Sequence, residues 1–503
     1  SMKPPRSLVL ITVDCFRADH AGFLGYPLPT TPFLDSLATE SLTFSNAIVA
    51  GAPTYFSFPA VMASRPPLGL GRDVVGLAPG EPTIASALNE AGHATAAFLA
   101  ANPYLSPRFG YDAGFSVFQD FLDSAAAPVP GVSDGAKNTR TLSRWNQRLA
   151  KASHALGPVG SIYDELYFRY CQRVASAPAL SLDQLRRFPA ADVIVDRARD
   201  WLTGIKGQPF FLWLHFMDPH SPYYPRREAL EFMGQDSLDA SRARYLNSYW
   251  NRGDLGASRL RRHRKDIVAL YDAGIRWADA QVARLVDTLR GLGVWENCVM
   301  ALTADHGEEF LDHGGRYHPP SSVSEELVRV PLLLRAPGLP RGSASAPFSL
   351  LHLAPTLLDL VGVSIPGSFR GRSHPALLDA GKGGEIDAVI ECISICKNPF
   401  VVDDRLQARL LAVREARYKM VLDFNSATEQ LYDLDADPAE RRPLPPGAEK
   451  AVRRRLLDRA RQHISDAVQS RDAEYRMAAR LRDFRLSTSA RMDEPHRPDL
   501  RLA

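Results

Sequence analysis

Asp14, Asp305 and His306 are residue types that together can hold a divalent metal ion, because carboxylates and imidazole are common donors for transition metals. Each follows a nearly continuous apolar run: SLVLITV precedes Asp14, and CVMALTA precedes Asp305 and His306. A third run, PFFLWLHFMDPH, carries His215 and ends in Asp218 and His220. Taken singly, Asp14 reads as a helix cap and Asp305 with His306 as a polar strand end. Taken together, three buried strands deliver acids and imidazoles to one edge, which is where open α/β sheets build their sites.

Apolar runs rich in branched residues are the mark of strands buried on both faces of a parallel sheet. Between them, the segment from Ile267 to Gly293 repeats its apolar residues at helical spacing and closes on glycine, predicting a surface helix. Alternation of strands and helices predicts an α/β fold, with a doubly wound and mostly parallel sheet. The catalytic α/β domain is expected over 7–362, with a helical, arginine-dotted insertion at about 123–197 that walls the site. The segment from Ala408 to Asp423 alternates apolar and polar residues as antiparallel strands do. A smaller C-terminal α+β subdomain is therefore expected over 363–446, followed by a charged helical tail over 447–503.

The chain has 503 residues, 45% hydrophobic and 23% charged, enough to bury a large core and a second one. A formal net charge of +3 gives no general attraction for nucleic acid, and the arginines crowded between Arg453 and Arg501 read as a solvated helical face. The 5 cysteines are odd in number and scattered, and Cys392 and Cys396 have no second pair, so neither a disulfide framework nor a zinc cluster is expected. No apolar run approaches the roughly 18 residues of a membrane span. Residence in the cytoplasm is the default expectation, a removed leader the alternative. Association into a homo-oligomer stays open.

The strings around the metal-type residues carry a family resemblance. ITVDCFRADHAGFLGY with TTPFLDSLATESLTFSNAI, TADHGEEFLDHG with EELVRVPLLLRAPG, LLHLAPTLLDLVGV and EQLYDLDADPAE stand in this order between Leu8 and about Leu444. They resemble the sulfatase branch of the alkaline phosphatase superfamily. The resemblance implies that family's fold, with Asp14, Asp305 and His306 as ligands of one divalent metal ion.

One string departs from the family. GAPTYFSFPAVMASRPP stands where a sulfatase carries Cys-x-Pro-x-Arg or Ser-x-Pro-x-Arg, placing Thr54 at the nucleophile, Phe56 at the proline and Phe58 at the arginine. The oxidation to formylglycine that sulfatases undergo has no substrate here, so Thr54 is implied to act as an alcohol and as the fourth metal ligand. Asp14, Thr54, Asp305 and His306 resemble the site of lipoteichoic-acid synthases and phosphoethanolamine transferases and one of the two sites of nucleotide pyrophosphatases, all of which act on phosphorus. Cys15 and His306 replace the second acid and the asparagine of the sulfatase pattern, and an imidazole favours zinc or manganese over calcium.

By the same resemblance His220 contacts the bound anion and protonates the leaving group, and His318 binds the anion. Asn102 and His313 are lesser candidates for substrate contact, beside His215. Asp218 would orient His220 or serve a second metal, and Arg17 with Asp19 would hold the first loop. Tyr55, Phe56, Phe58 and Tyr223 suggest an apolar wall suited to an aromatic or lipid-like leaving group. The expected function is metal-dependent hydrolysis or transfer of phosphoesters or phosphodiesters through a covalent Thr54 intermediate, on a small-molecule or lipid-like ester. The alternatives are a sulfatase with a threonine nucleophile and a catalytically silent sulfatase-like binding protein, the latter favoured by Phe56 and Phe58.

Overall fold

The apolar runs become strands in the computed structural model, which describes residues 6–125, 165, 166, 168, 181–205, 207–375, 387–468 and 473–492. Most of the expected insertion at 123–197 lies outside these residues. Eleven strands belong to the first part of the chain: β1 (Ser7–Val13), β2 (Leu42–Ile48), β3 (Ala94–Leu99), β4 (Val117–Gln119), β5 (Phe210–Phe216), β6 (Cys298–Ala304), β7 (Glu309–Phe310), β8 (Arg316–Tyr317), β9 (Arg329–Arg335), β10 (Gly342–Ala344) and β11 (Phe348–Ser349). The main sheet runs β10-β2-β9-β6-β1-β5-β3-β4, with β11 beside β2. From β6 to β4 all neighbours are parallel, and β9 runs against both β2 and β6. The mostly parallel, doubly wound sheet expected from the sequence is therefore present, with one antiparallel strand inside it.

Every residue of β1, β5 and β6 is buried, as strands covered on both faces must be. Helices Ala191–Gly204 and Ala257–Gly291 pack together on one side of these strands, and helices Thr54–Ala63, Ile84–Glu90 and Leu353–Val361 pack together on the other. The long helix ends as predicted, with Gly293 in the left-handed region at φ 69° and Val294 N–H returning to the Leu289 carbonyl. It begins ten residues earlier than the apolar spacing indicated, at Ala257 rather than Ile267. The extra turns, SRLRRHRK, are charged and turned largely to solvent, so they carry no apolar period to read.

The C-terminal part forms a second, antiparallel sheet of β12 (Ala388–Ile393), β13 (Arg409–Arg414), β14 (Tyr418–Asp423) and β15 (Thr428–Asp433) in sequential order. Its period of two divides its residues between two cores. Ala388, Ile390, Cys392, Leu410 and Ala412 join the main core, while Val389, Leu411, Val413, Met420 and Leu431 pack on Val452, Leu456 and Ala460 of helix Lys450–Val468. The buried Lys419 reaches Glu325 at 3.1 Å and Glu440 at 2.8 Å, tying β14 to the short helix Glu325–Val328 before β9 and to the segment after β15. Among the described residues no helix is long and apolar enough to cross a membrane.

Candidate active site

Strand register brings the sequence-distant acids together. Val13 of β1 pairs with Ala304 of β6, so Asp14 and Asp305, the next residues, leave adjacent parallel strands at the same edge. On the other side of β1, Thr12 pairs with His215 of β5, which in turn pairs with Leu99 of β3. Asn102 follows β3 by three residues. Four neighbouring strands thus feed one patch of the carboxyl edge.

Thr54 arrives from a different direction, at the start of a helix, Thr54–Ala63, whose residues are all buried. Its Oγ1 donates to Asp305 Oδ2 at 2.8 Å and lies 3.2 Å from His306 Nε2. The first-turn amides of a helix have no intrahelical partner and carry partial positive charge, so an anion formed here is favoured by the backbone as well.

The donor atoms that meet at His306 are spaced as ligands of a divalent ion are. His306 Nε2 stands 3.2 Å from Thr54 Oγ1, 3.5 Å from Asp14 Oδ1 and 3.5 Å from Asp305 Oδ2. A tetrahedral site with ligand distances of about 2.0–2.1 Å has edges of roughly 3.3–3.4 Å. His306 Nδ1 lies 2.8 Å from the Gly307 carbonyl, which can only accept, so the ring turns the lone pair of Nε2 to the oxygens. Such an outer carbonyl is the usual partner of a metal-binding histidine. Gly307 itself is required, since a Cβ there would run into the Glu326 carbonyl.

Electrostatics separates the two acids. Burial works against a charge on Asp14, but His220, the hydrogen bond from His215 and His306 outweigh it and hold the carboxyl well below the usual range. Burial and then the charge of Asp14 push Asp305 up. Two buried carboxylates in one site cannot both ionise freely, and a bound cation relieves the conflict.

His215, which the apolar run of β5 disguises, is part of this arrangement. Its Nε2 lies 3.3 Å from Asp14 Oδ2, and its Nδ1 lies 2.9 Å from Thr12 Oγ1, which also accepts from Trp213 Nε1 at 3.0 Å. Phe58 packs its ring edge against His215 at 5.4 Å and lies 5.5 Å from Trp213. The expected apolar wall is corrected here: Phe56 and Phe58 are buried to within 1% of their surface and form core beneath the site.

His220 and His318 stand beside one another, ring centres 5.1 Å apart, and His318 lies 4.5 Å from the His306 ring. His318 Nδ1 is 3.0 Å from Glu308 Oε1, whose other oxygen accepts from the Tyr223 hydroxyl at 3.1 Å. Glu308 is fully buried and was missed in the sequence, where nothing separates it from its neighbour Glu309. Asp218 makes no hydrogen bond to the His220 ring among the described residues and is turned the other way. Its carboxylate accepts from Ala191 N–H at 3.0 Å, at the start of helix Ala191–Gly204.

Two lesser candidates have other partners. Asn102 donates from Nδ2 to Asp14 Oδ2 at 2.9 Å and accepts from Tyr104 N–H with Oδ1, so it is held against the acid. His313 is not brought to the cluster: its ring nitrogens lie 2.6 Å from Glu326 Oε1 and 3.0 Å from the Ala439 carbonyl. The turn between β7 and β8 sends it to a pocket that Arg17, Asp312, Glu326, Arg329 and Arg414 also line. Arg17 makes the expected salt bridge to Asp19, and another to Asp312, both at 2.8 Å.

The hydrogen bond to Glu326 pushes His313 up to about 9. A histidine raised in the folded state stabilises the fold fully below its unfolded value of about 6.5, and that stability is lost as pH rises through about 9. His313→Asn is therefore expected to unfold at lower urea than wild type near pH 6, with the gap shrinking above about pH 9. A gap independent of pH would show that the pair contributes no charge-linked stability.

Comparison with known proteins agrees with this architecture. A family model described as Sulfatase matches residues 6–363, and one described as N-sulphoglucosamine sulphohydrolase, C-terminal, matches residues 316–465. An arylsulfatase of Clostridium perfringens is 26% identical over 402 residues, covering 75% of this chain and 79% of the relative. A choline-sulfatase of Rhizobium meliloti is 28% identical over 253 residues, and the chain spans only 46% of that relative's length. Among solved structures, a phosphonate monoester hydrolase from Silicibacter pomeroyi shares the fold with a TM-score of 0.63 at 19% identity, over 93% of this chain and 96% of that one.

Proposed function

The chain belongs to the sulfatase family and is a hydrolase of the sulfatase or phosphoesterase type, and on that premise we propose that it cleaves phosphoesters or phosphodiesters through a covalent intermediate on Thr54. The observation that carries this reading is an unmodified hydroxyl, Thr54 Oγ1, set 2.8 Å from Asp305 Oδ2 and 3.2 Å from His306 Nε2 at the head of a buried helix. Members of the family bind a divalent metal ion. Asp14, Thr54, Asp305 and His306 would hold it here, and an imidazole among them favours zinc or manganese. When bound, such an ion lowers the pKa of a hydroxyl and offsets charge on the oxyanion under attack.

The remaining chemistry belongs to the chain's own side chains. Asp305 Oδ2 is the acceptor for the Thr54 proton. Attack forms a bond from Thr54 oxygen to phosphorus while the bond to the leaving oxygen breaks, and His220 and His318 meet the oxygens that gain charge. Water, or an alcohol in a transferase, then displaces Thr54 from phosphorus and restores the hydroxyl.

Sulfate ester cleavage is the second reading, favoured by the arylsulfatase and choline-sulfatase relatives. Chemistry ranks it lower. A formylglycine hydrate expels sulfate by breaking a carbon–oxygen bond, whereas an ester of Thr54 must be attacked again at sulfur. Aryl phosphate, phosphodiester, phosphonate monoester and aryl sulfate substrates are therefore expected to separate, with a phosphorus ester the fastest. A preference for sulfate of about tenfold in kcat/KM, roughly 1.4 kcal/mol, would reverse the order.

A further inference from the structure

Arg405, on the short helix Val402–Arg405 between β12 and β13, is a buried cation with too few partners. Its side chain is 3% exposed, and its Nη2 donates to Asp483 Oδ2 at 3.0 Å. Its Nε and Nη1 are buried and have no acceptor among the described residues. Asp483 has a second cation beside it, Arg482, whose Nε stands 3.7 Å from Oδ1 and is likewise buried without an acceptor. The other two nitrogens of Arg482 donate to the carbonyls of Leu77 and Val75. A third guanidinium, that of Arg108, comes from the turn Pro107–Phe109 and lies 4.6 Å over the Phe400 ring.

Charge does not balance in this cluster. Burial works against the cations of Arg108 and Arg482, and although Asp483 opposes it, repulsion from Arg405 helps to hold both below the usual arginine range. Glu81, whose charge Arg482 also feels, is already paired with Arg65. Three guanidiniums therefore share one carboxylate. Buried charge must be compensated, and a buried donor without an acceptor calls for a missing partner. A guanidinium presents a planar fork of donors that matches phosphate, sulfate or carboxylate. The tail read from the sequence as a solvated face thus turns one arginine inward: helix Ala473–Met492 packs Ala479 on Leu70, Val74 and Ala78, and the Arg482 side chain is 12% exposed.

A run of rings joins the cluster to the nucleophile. Tyr55 follows Thr54 and packs on Tyr104 at 5.1 Å, Tyr104 packs on Phe400 at 5.4 Å, and Phe400 carries Arg108. Tyr104 and Phe400 are half-buried and Arg108 is exposed, so the run has an open side.

We propose that Arg108, Arg405 and Arg482 form an anion site separate from the cluster around Thr54, and that it receives a second phosphate, sulfate or carboxylate group of the ester attacked there. Arg108 meets the entering anion, and Arg405 and Arg482 supply the donors that lack acceptors. The intervening part of the substrate lies along Tyr104 and Phe400, which suits an aromatic or apolar linker. This deepens the proposed function and rests on it only for the place of attack.

Binding is tested first, without turnover. Chelated full-length protein titrated with inorganic phosphate in a calorimeter is expected to bind it, and to bind it roughly tenfold more weakly or worse in Arg405→Gln and in Arg108→Gln, as loss of a charged hydrogen bond implies. His318→Gln should bind phosphate as the wild type does. Arg108 is exposed, so its variant serves should Arg405→Gln not fold. The second measurement compares kcat/KM for 4-nitrophenyl phenyl phosphate and for the same diester with a carboxymethyl group on the phenyl ring. The wild type is expected to prefer the carboxylate ester by roughly tenfold, and both arginine variants to lose that preference. Absence of phosphate binding, binding that survives both arginine variants or is lost in His318→Gln alone, or a wild type indifferent to the carboxylate would each overturn the site. If neither diester is cleaved the proposed function fails, and the same comparison on aryl sulfates with and without the carboxylate, beside the phosphate titration, still decides the anion site.

Discussion

Thr54→Ala is expected to lower turnover by on the order of 10³-fold or more, about 4 kcal/mol in the barrier, with the fold intact. The helix it opens is buried throughout, and alanine is a good helix former, so little folding stability is at stake. What is lost is the oxygen 2.8 Å from Asp305 Oδ2, and with it the covalent route. Asp14, Asp305 and His306 remain to hold an ion. Thr54→Ser keeps the hydroxyl and frees its rotamer, so it should retain measurable turnover. Rapid quenching of the wild type with a good substrate, followed by peptide mass spectrometry, should find a phosphoryl adduct on the peptide containing Thr54. An alanine variant that turns over near the wild-type rate would mean that water is the nucleophile and that the covalent reading is wrong.

Asp305→Asn should remove one bound ion per chain and bring activity down with it. The substitution preserves shape but takes away the charge that faces both Thr54 and His306, and a neutral amide is a weaker ligand for a divalent cation. A ligand that binds only the folded state stabilises it by about 2.7 kcal/mol at one hundred times its dissociation constant. The wild type should therefore melt at a higher temperature when zinc or manganese is added to chelated protein, and Asp305→Asn should lose most of that rise. Without metal the variant should melt no lower than the wild type, since it carries one buried carboxylate fewer against Asp14. Full metal content in an inactive variant would give Asp305 a role other than holding the ion.

The strands that end in Asp14 and Asp305 were legible along the chain because burial on both faces writes itself locally, as an unbroken apolar run interrupted by an acid. The long helix was legible only where its apolar face repeats, and its charged first turns were not. Thr54 was legible by resemblance alone, for a threonine at the head of an apolar helix has no local sign of reactivity. His215, Glu308 and His313 mark the limit from the other side. His215 lies inside an apolar run, and only the pairing of Thr12 with His215 across β1 and β5 turns its ring to Asp14. Glu308 and Glu309 are neighbours of one type, yet the first lies against His318 and the second against the amides of His313 and Gly315. His313 and His318 are five residues apart, and the hairpin of β7 and β8 sends them to different partners, Glu326 and Glu308. Residue type and apolar period are properties of a short stretch of chain and can be read there. Which donor faces which is set by strand register and hairpin geometry, where a shift of one residue turns a side chain to the opposite face, so those partners exist only once the sheet has closed.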